Sequence, residues 1–185
     1  MILWVILALI ILIPLYVIFL YNRLVRSRNM VEEGWSGIDV QLKRRADLIP
    51  NLVETVKGYA THEKTVLEEV TAARAAATSA QSVEGTGKAA DMMTAALGRL
   101  FAVAENYPAL QADDNFRQLQ DQLAETEDMI QKARRYYNGA VRTLNTFVEQ
   151  FPSNLVAGQF RFVRAEYFEI EDPKNRALPE VVFTE

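Results

Sequence analysis

Cysteine is absent from this chain. That excludes a disulfide framework, a thiolate nucleophile and any cysteine-based metal site. It leaves the compartment open, because a cysteine-free domain suits either face of a membrane. Histidine occurs once, at His62. His62-Glu63 is not followed by a second histidine four residues on, so the zinc-protease helix is missing and His62 reads as a surface residue. There is no glycine-rich phosphate loop. Gly85-Thr86-Gly87-Lys88 lacks the first glycine of that spacing, and no strand precedes it. No serine or threonine sits in a nucleophile-elbow context. The carboxylate pairs Glu68-Glu69 and Asp113-Asp114 fall on or near helix ends, where such groups are solvated or capping. A hydrolytic pair needs a cleft that separates the two pKa values. These absences point away from an enzyme and away from any metal or cofactor.

Charge is also missing from one place. The first twenty-one residues carry no charged side chain, so everything from Arg23 onward carries the net charge of −4. A mildly acidic remainder lacks the clustered Lys and Arg of a nucleic-acid surface. The uncharged run, MILWVILALIILIPLYVIFLY, is about the 20 residues that span a bilayer as a helix. Pro14 is tolerable there, and Trp4, Tyr16 and Tyr21 lie towards its ends as interfacial aromatics do. A cleaved signal peptide would need a basic start, a shorter apolar core and a small-residue cleavage site, none of which is present. Residues 1–22 are therefore expected to be a transmembrane anchor in the lipid bilayer. Arg23, Arg26 and Arg28 follow it, then Lys43, Arg44 and Arg45. The positive-inside rule places the N-terminus outside and the rest in the cytoplasm. The first three arginines can also meet anionic headgroups.

What remains reads as helix. Trp35, Leu42, Ile49 and Val56 form one heptad row, and Val31, Ile38, Leu52 and Tyr59 form its neighbour, with Arg45 interrupting. No strong turn signal separates Tyr21 from Val31, so the anchor can run straight into this helix. Pro50 predicts a kink near Asp47–Pro50, with Asp47 able to cap a restarted helix. Thr61 is a candidate cap for a further helix, and whether the chain turns near Gly58–Thr61 is undecided by the sequence. Ser79–Lys88 reads as a loop on its Gly85 and Gly87. A helix over residues 89–105 should turn Met93, Leu97, Leu100 and Phe101 inward, and Tyr107-Pro108 should end it. Then Asp113 or Asp114 caps a helix in which Phe116, Leu123, Ile130, Tyr137, Leu144 and Phe151 recur every seven residues, beside Leu119, Thr126, Ala133, Ala140 and Phe147. The fold class is all-α: a transmembrane helix, then an antiparallel bundle of three to four long helices over residues 23–152. A tail over residues 153–185 holds Phe160, Phe162, Tyr167, Phe168 and Phe183, with Pro173 and Pro179 breaking regularity. A short helix can open it at Asn154. The rest should lie extended, docked on the bundle or on a neighbouring subunit. The heptads also allow a coiled coil between copies, and a homo-oligomer is expected.

One polar feature interrupts the apolar rows. Gln131, Asn138 and Asn145 form a heptad row beside Ile130, Tyr137 and Leu144. Arg45 breaks the facing helix, with Trp35, Asp39, Arg44 and Asp47 near it. The first reading is a buried polar network fixing the register of the two long helices. The alternative is a site of a regulator or unfamiliar enzyme, built from Asp39, Arg44, Arg45 and Asp47 converging on a solvent-reachable cavity.

The stretch YNRLVRSRNMVEEGWSGIDVQLKRRADLIPNLVETVKGYATHE resembles the LemA family of bacterial membrane proteins. The match continues through YPAL, FRQLQDQLAETEDMI, RRYYNGAVRTLN, FPSN and YFEIED, nearly the whole chain. The resemblance implies an N-terminal anchor, with the N-terminus facing outward, and a helical bundle. It implies no catalytic residue and no cofactor. It hints at envelope or membrane-protease partner proteins. On both grounds the expected role is a membrane-anchored, self-associating helical scaffold or interaction protein.

Overall fold

The computed structural model describes residues 1–168. Among these it holds six helices and no strand: α1 (Ile2–Tyr59), α2 (Lys64–Ser79), α3 (Val83–Ala104), α4 (Pro108–Gln111), α5 (Asp114–Glu149) and α6 (Ser153–Gln159). The all-α expectation holds. An apolar N-terminal helix leads without interruption into a bundle dominated by α1, α2, α3 and α5. The tail positions Pro173, Pro179 and Phe183 lie outside the described residues.

α1 has 58 residues, which at 1.5 Å each is about 87 Å. Its first part is long and apolar enough to cross a membrane, and none of that window is buried within the protein. Further along, its apolar stripe meets α5 running the opposite way. Leu20 and Leu24 pack with Leu144 and Phe147. Ile38 packs with Tyr137 and Val141. Ile49, Leu52 and Val56 share a core with Leu119, Leu123 and Phe116. The register ends where the Tyr59 hydroxyl donates to Asp113 Oδ2 at 2.9 Å. Each fully buried Leu or Ile in such a seam contributes roughly 1.5–3 kcal/mol. Close approach is achieved at Gly34, where a Cβ would stand 3.0 Å from the Tyr137 Cα. A side chain there would push the helices apart. Tyr59, in the apolar row by spacing, is 43% exposed because the seam has ended by then.

The helix does not restart on an Asp47 cap. α1 is helical through Asp47 and Pro50, and Asp47 instead accepts from Lys43 Nζ at 3.4 Å. Proline at 50 deprives the Ala46 carbonyl of its usual i+4 donor. Arg74 Nε, reaching across from α2, donates to that carbonyl at 2.9 Å. A tertiary donor thus replaces the lost helical one, and the helix carries on.

The chain does turn after Tyr59. Glu63, not Thr61, occupies the cap position of α2, without a side-chain cap bond. Its carboxylate accepts from the Tyr107 hydroxyl at 2.9 Å. The expected loop at 79–88 is corrected too. α3 begins at Val83, and Gly85 and Gly87 lie inside it. Ser82 is the reason: its Oγ accepts from the Gly85 N–H at 3.0 Å, and that cap outweighs the glycines' low helix propensity. Met93, Leu97 and Leu100 face inward as expected, with Phe101 partly buried. After Ala104 the chain makes the short α4, with Pro108 at its first turn. α5 starts on Asp113, whose Oδ1 accepts from the Phe116 N–H at 2.9 Å. That bond, the Tyr59 hydroxyl and another backbone N–H hold the Asp113 carboxyl below its ordinary range.

The Pro50–Arg74 relation is testable. Arg74→Met should cost about 1–3 kcal/mol in chemical unfolding of the detergent-solubilised protein, by leaving a part-buried carbonyl without a donor. In a Pro50→Ala background the helical N–H is restored, and the same substitution should cost markedly less. Equal costs in both backgrounds would show that Arg74 does not act through Ala46.

Candidate functional site

The middle of the bundle carries its two buried guanidinium groups, and the polar side chains around them form two sets. In the first, Arg45 of α1 is 4% exposed. Its Nη1 lies 2.7 Å from Glu127 Oε2 of α5 and donates to Thr94 Oγ1 of α3 at 3.1 Å. The Glu127 contact is a close ion pair without hydrogen-bond alignment. Gln131 Nε2 steadies the same carboxylate, donating to Glu127 Oε1 at 2.8 Å. Burial depresses the Arg45 pKa, Glu127 opposes that shift, and neighbouring Arg134 adds to it. Arg134 is 6% exposed, and its Nη2 lies 3.6 Å from Asp91 Oδ1 of α3. One buried guanidinium from each long helix thus reaches α3 and ties it to the seam.

The second set holds the end of the described chain. Beyond α6, residues 162–168 run back along α5. The Asn145 side chain donates to the Ala165 carbonyl at 3.0 Å and accepts from the Ala165 N–H at 2.9 Å. One heptad earlier, Asn138 does the same to Phe168, donating at 3.1 Å and accepting at 2.9 Å. Each amide satisfies both backbone groups of one residue, as a neighbouring strand would. Between them the Tyr137 hydroxyl donates to the Glu166 carbonyl at 2.8 Å. Burial, with the Glu166 charge, raises the Tyr137 pKa, so the hydroxyl stays a donor. Phe168, 2% exposed, then closes over the seam. Its ring lies 6.1 Å from Trp35, and the Arg134 guanidinium sits 4.6 Å from its centroid. Trp35 in turn lies 5.7 Å from Tyr137.

The structure divides the residues singled out from sequence. Arg45 and Gln131 meet through Glu127. Trp35, Asn138 and Asn145 belong to the tail clamp, so the two asparagines bind backbone of the tail and not Arg45. Arg44 is exposed and lies 3.6 Å from Glu125. Asp47 is exposed and paired with Lys43, and Asp39 is exposed on α1. Asp39, Arg44 and Asp47 therefore lie exposed on α1, while Arg45 is buried in the seam. Sequence reasoning missed Arg134, because a charge flanking an apolar row is ordinarily solvated. It also missed Glu127, which a search for i,i+4 partners of Gln131 would have found.

Chemically the arrangement can recognise backbone and lock register. It offers no nucleophile beside a base. Among the described residues, no group of three or more His, Asp or Glu could hold a metal. A cavity of about 380 Å³ next to Phe168 is lined by Gln131, Arg134, Arg135, Asn138, Gly139 and Arg142. A larger groove of about 720 Å³ lies at the far end of the bundle, where Val53 and Lys57 face Leu67, Thr71 and Ala75.

An apolar N-terminal helix continuous with a helical bundle that clamps residues 162–168 along α5 defines a helical-bundle class of protein. A model of the LemA family matches residues 34–183. The chain belongs to the LemA family. It is similar to magnetosome protein MamQ 2 of Paramagnetospirillum magneticum, 28% identical over 175 residues, covering 80% of this chain and 64% of that protein. MamQ of Magnetospirillum gryphiswaldense is 25% identical over 174 residues, with the same coverage. Protein LemA of Metamycoplasma hominis is 25% identical over 153 residues, covering 82% of this chain and 69% of its own. The chain thus spans just under two thirds of the MamQ proteins it matches.

Two outcomes follow from this geometry. Glu127→Leu alone strands the Arg45 charge and should destabilise by about 3 kcal/mol or more, whereas Arg45→Met with Glu127→Leu should recover most of that loss. Denaturant unfolding of the four forms of this cycle checks it. For the clamp, Asn138→Ala with Asn145→Ala should raise the rate of trypsin cleavage after Arg161 and Arg164 about tenfold or more, with little loss of helicity. Unchanged cleavage would mean that the segment is held by Phe168 packing alone.

Proposed function

We propose that this protein is a membrane-anchored helical scaffold that self-assembles in the bacterial cell membrane. The observation that carries the reading is the continuity of α1: one helix is both the apolar N-terminal segment and the spine of the bundle. No linker intervenes, so the orientation of the segment is transmitted directly to the bundle. About 30 Å of its 87 Å would lie in hydrocarbon, leaving about 57 Å, close to the 54 Å of α5. The bundle therefore stands directly on the bilayer.

Self-assembly draws support from the same helix. Among the described residues of this segment, Leu3, Leu7, Leu9, Ile10, Leu12 and Ile13 expose apolar side chains around the helix. Lateral pairing of such segments would align their bundles side by side. The MamQ relatives are named magnetosome proteins, a name that states no reaction, in keeping with a scaffold. For orientation, Arg23, Arg26 and Arg28 favour an outside N-terminus and a cytoplasmic bundle.

Light scattering on the detergent-extracted full-length protein tests the assembly. A mass of two or more chains, growing with concentration, is expected. A monomer at every concentration would overturn the scaffold reading. Reporters fused at each terminus supply the topology arm, and a cytoplasmic N-terminus would reverse the proposed orientation.

A further inference from the structure

The end of the bundle nearest the anchor is built unlike the rest. α5 runs down to it, the chain turns at Phe151-Pro152, and α6 packs Val156 and Ala157 against Leu20 and Leu24 of α1. Val17 is packed against the same cluster. Val17 and Leu20 lie inside the uncharged run that ends at Tyr21. The base of the bundle therefore reaches below the end of that run by about one helical turn or slightly more.

At this level the outward side chains are apolar. Phe151 is 78% exposed, Leu155 64% and Phe160 51%, with Val163 at 76% just beyond. The Phe160 ring lies 4.8 Å from Tyr21 and the Phe162 ring 5.9 Å from it, which fixes their height against the anchor. Basic groups ring the same level: Arg23, Arg26 and Arg161 are exposed. Arg23 reaches over the Phe147 ring at 4.4 Å. Arg161 also ends α6 with φ of 57°, a left-handed position that glycine ordinarily fills. The turn keeps an arginine at that position in spite of the backbone preference.

We propose that the α5–α6 corner is a second membrane contact, in which Phe151, Leu155 and Phe160 enter the interfacial layer of the bilayer that α1 crosses, while Arg23, Arg26 and Arg161 meet anionic headgroups. The inference rests on the membrane-spanning reading of α1 given above. The occupant is lipid because the patch is continuous with the apolar anchor and at its height. An amphipathic element at such a boundary buries its apolar face about 5–10 Å into the headgroup and acyl region. Basic residues near a negatively charged leaflet add attraction that falls off within a Debye length. Two contacts at one end would fix the tilt of the bundle as well as its height, which a single helix leaves to its neighbours.

The cysteine-free sequence makes the test direct. Single-cysteine forms of the full-length protein, Leu155→Cys, Phe160→Cys, Leu9→Cys and Asn51→Cys, are labelled with an environment-sensitive fluorophore. They are reconstituted into vesicles of mixed zwitterionic and anionic phospholipid. Labels at 155 and 160 are expected to shift to the blue and to be quenched most by lipids carrying a spin label at the headgroup or shallow chain. The label at 9 should be quenched most by a deep spin label, and that at 51 by neither. If 155 and 160 behave like 51 while 9 is quenched, the second contact is disproved and the anchor stands. If 9 is not quenched, the anchor reading itself fails. Shielding of 155 and 160 that follows protein concentration and not spin-labelled lipid would assign the face to a second copy and overturn the lipid assignment.

Discussion

Along the antiparallel seam of α1 and α5, apolar rows from two long helices exclude water over most of the length of the bundle. α2 and α3 extend the core at one end and α6 closes it at the other. Each of the shorter elements depends on that seam. Arg74 of α2 satisfies a carbonyl of α1, Thr94 and Asp91 of α3 engage the guanidinium groups of the two long helices, and α6 packs on Leu20 and Leu24. Remove the register of α1 against α5 and none of these partners would face its group.

The polar groups inside the seam are costly to bury, and each has been given company. Arg45 and Arg134 leave water only because Glu127, Thr94 and Asp91 stand beside them. Such groups permit fewer packings than a uniformly apolar seam would, since a slip of one turn would strand a buried charge. The tail uses the same logic in a softer form. Asn138 and Asn145 treat an extended segment as a strand partner, and Phe168 then roofs Trp35 and Tyr137. The result is a bundle whose longest helix continues without a break into the apolar N-terminal segment.

Much of this was legible beforehand. The uncharged N-terminal run, the heptad rows from Val31 to Val56 and from Phe116 to Leu144, and the Asp113 cap are local signals, and they fell where periodicity and capping place them, whereas Phe151, the last of its row, lies past the end of α5 and is exposed. What misled were local signals whose outcome depends on a distant partner or on a competing cap. Pro50 should disturb a helix, and Arg74 lies twenty-four residues further along the sequence. Gly85 and Gly87 read as loop, and the Ser82 cap overrode them. Asn138 and Asn145 were legible as a polar row facing something buried. That their partner is tail backbone and not Arg45 follows from the return path of residues 162–168, which periodicity does not describe.

By itself, then, the sequence determined that the protein is helical, that one end is a greasy span, which faces of the two long helices are apolar, and to which family its pattern belongs. Those are properties of composition and spacing, carried by each segment alone. Only the tertiary structure decided which buried charge meets which, how the chain passes Pro50 unbroken, and that the α6 corner stands level with the end of the anchor. Those depend on side chains far apart in sequence arriving at one point in space, and local patterns hold no record of such meetings.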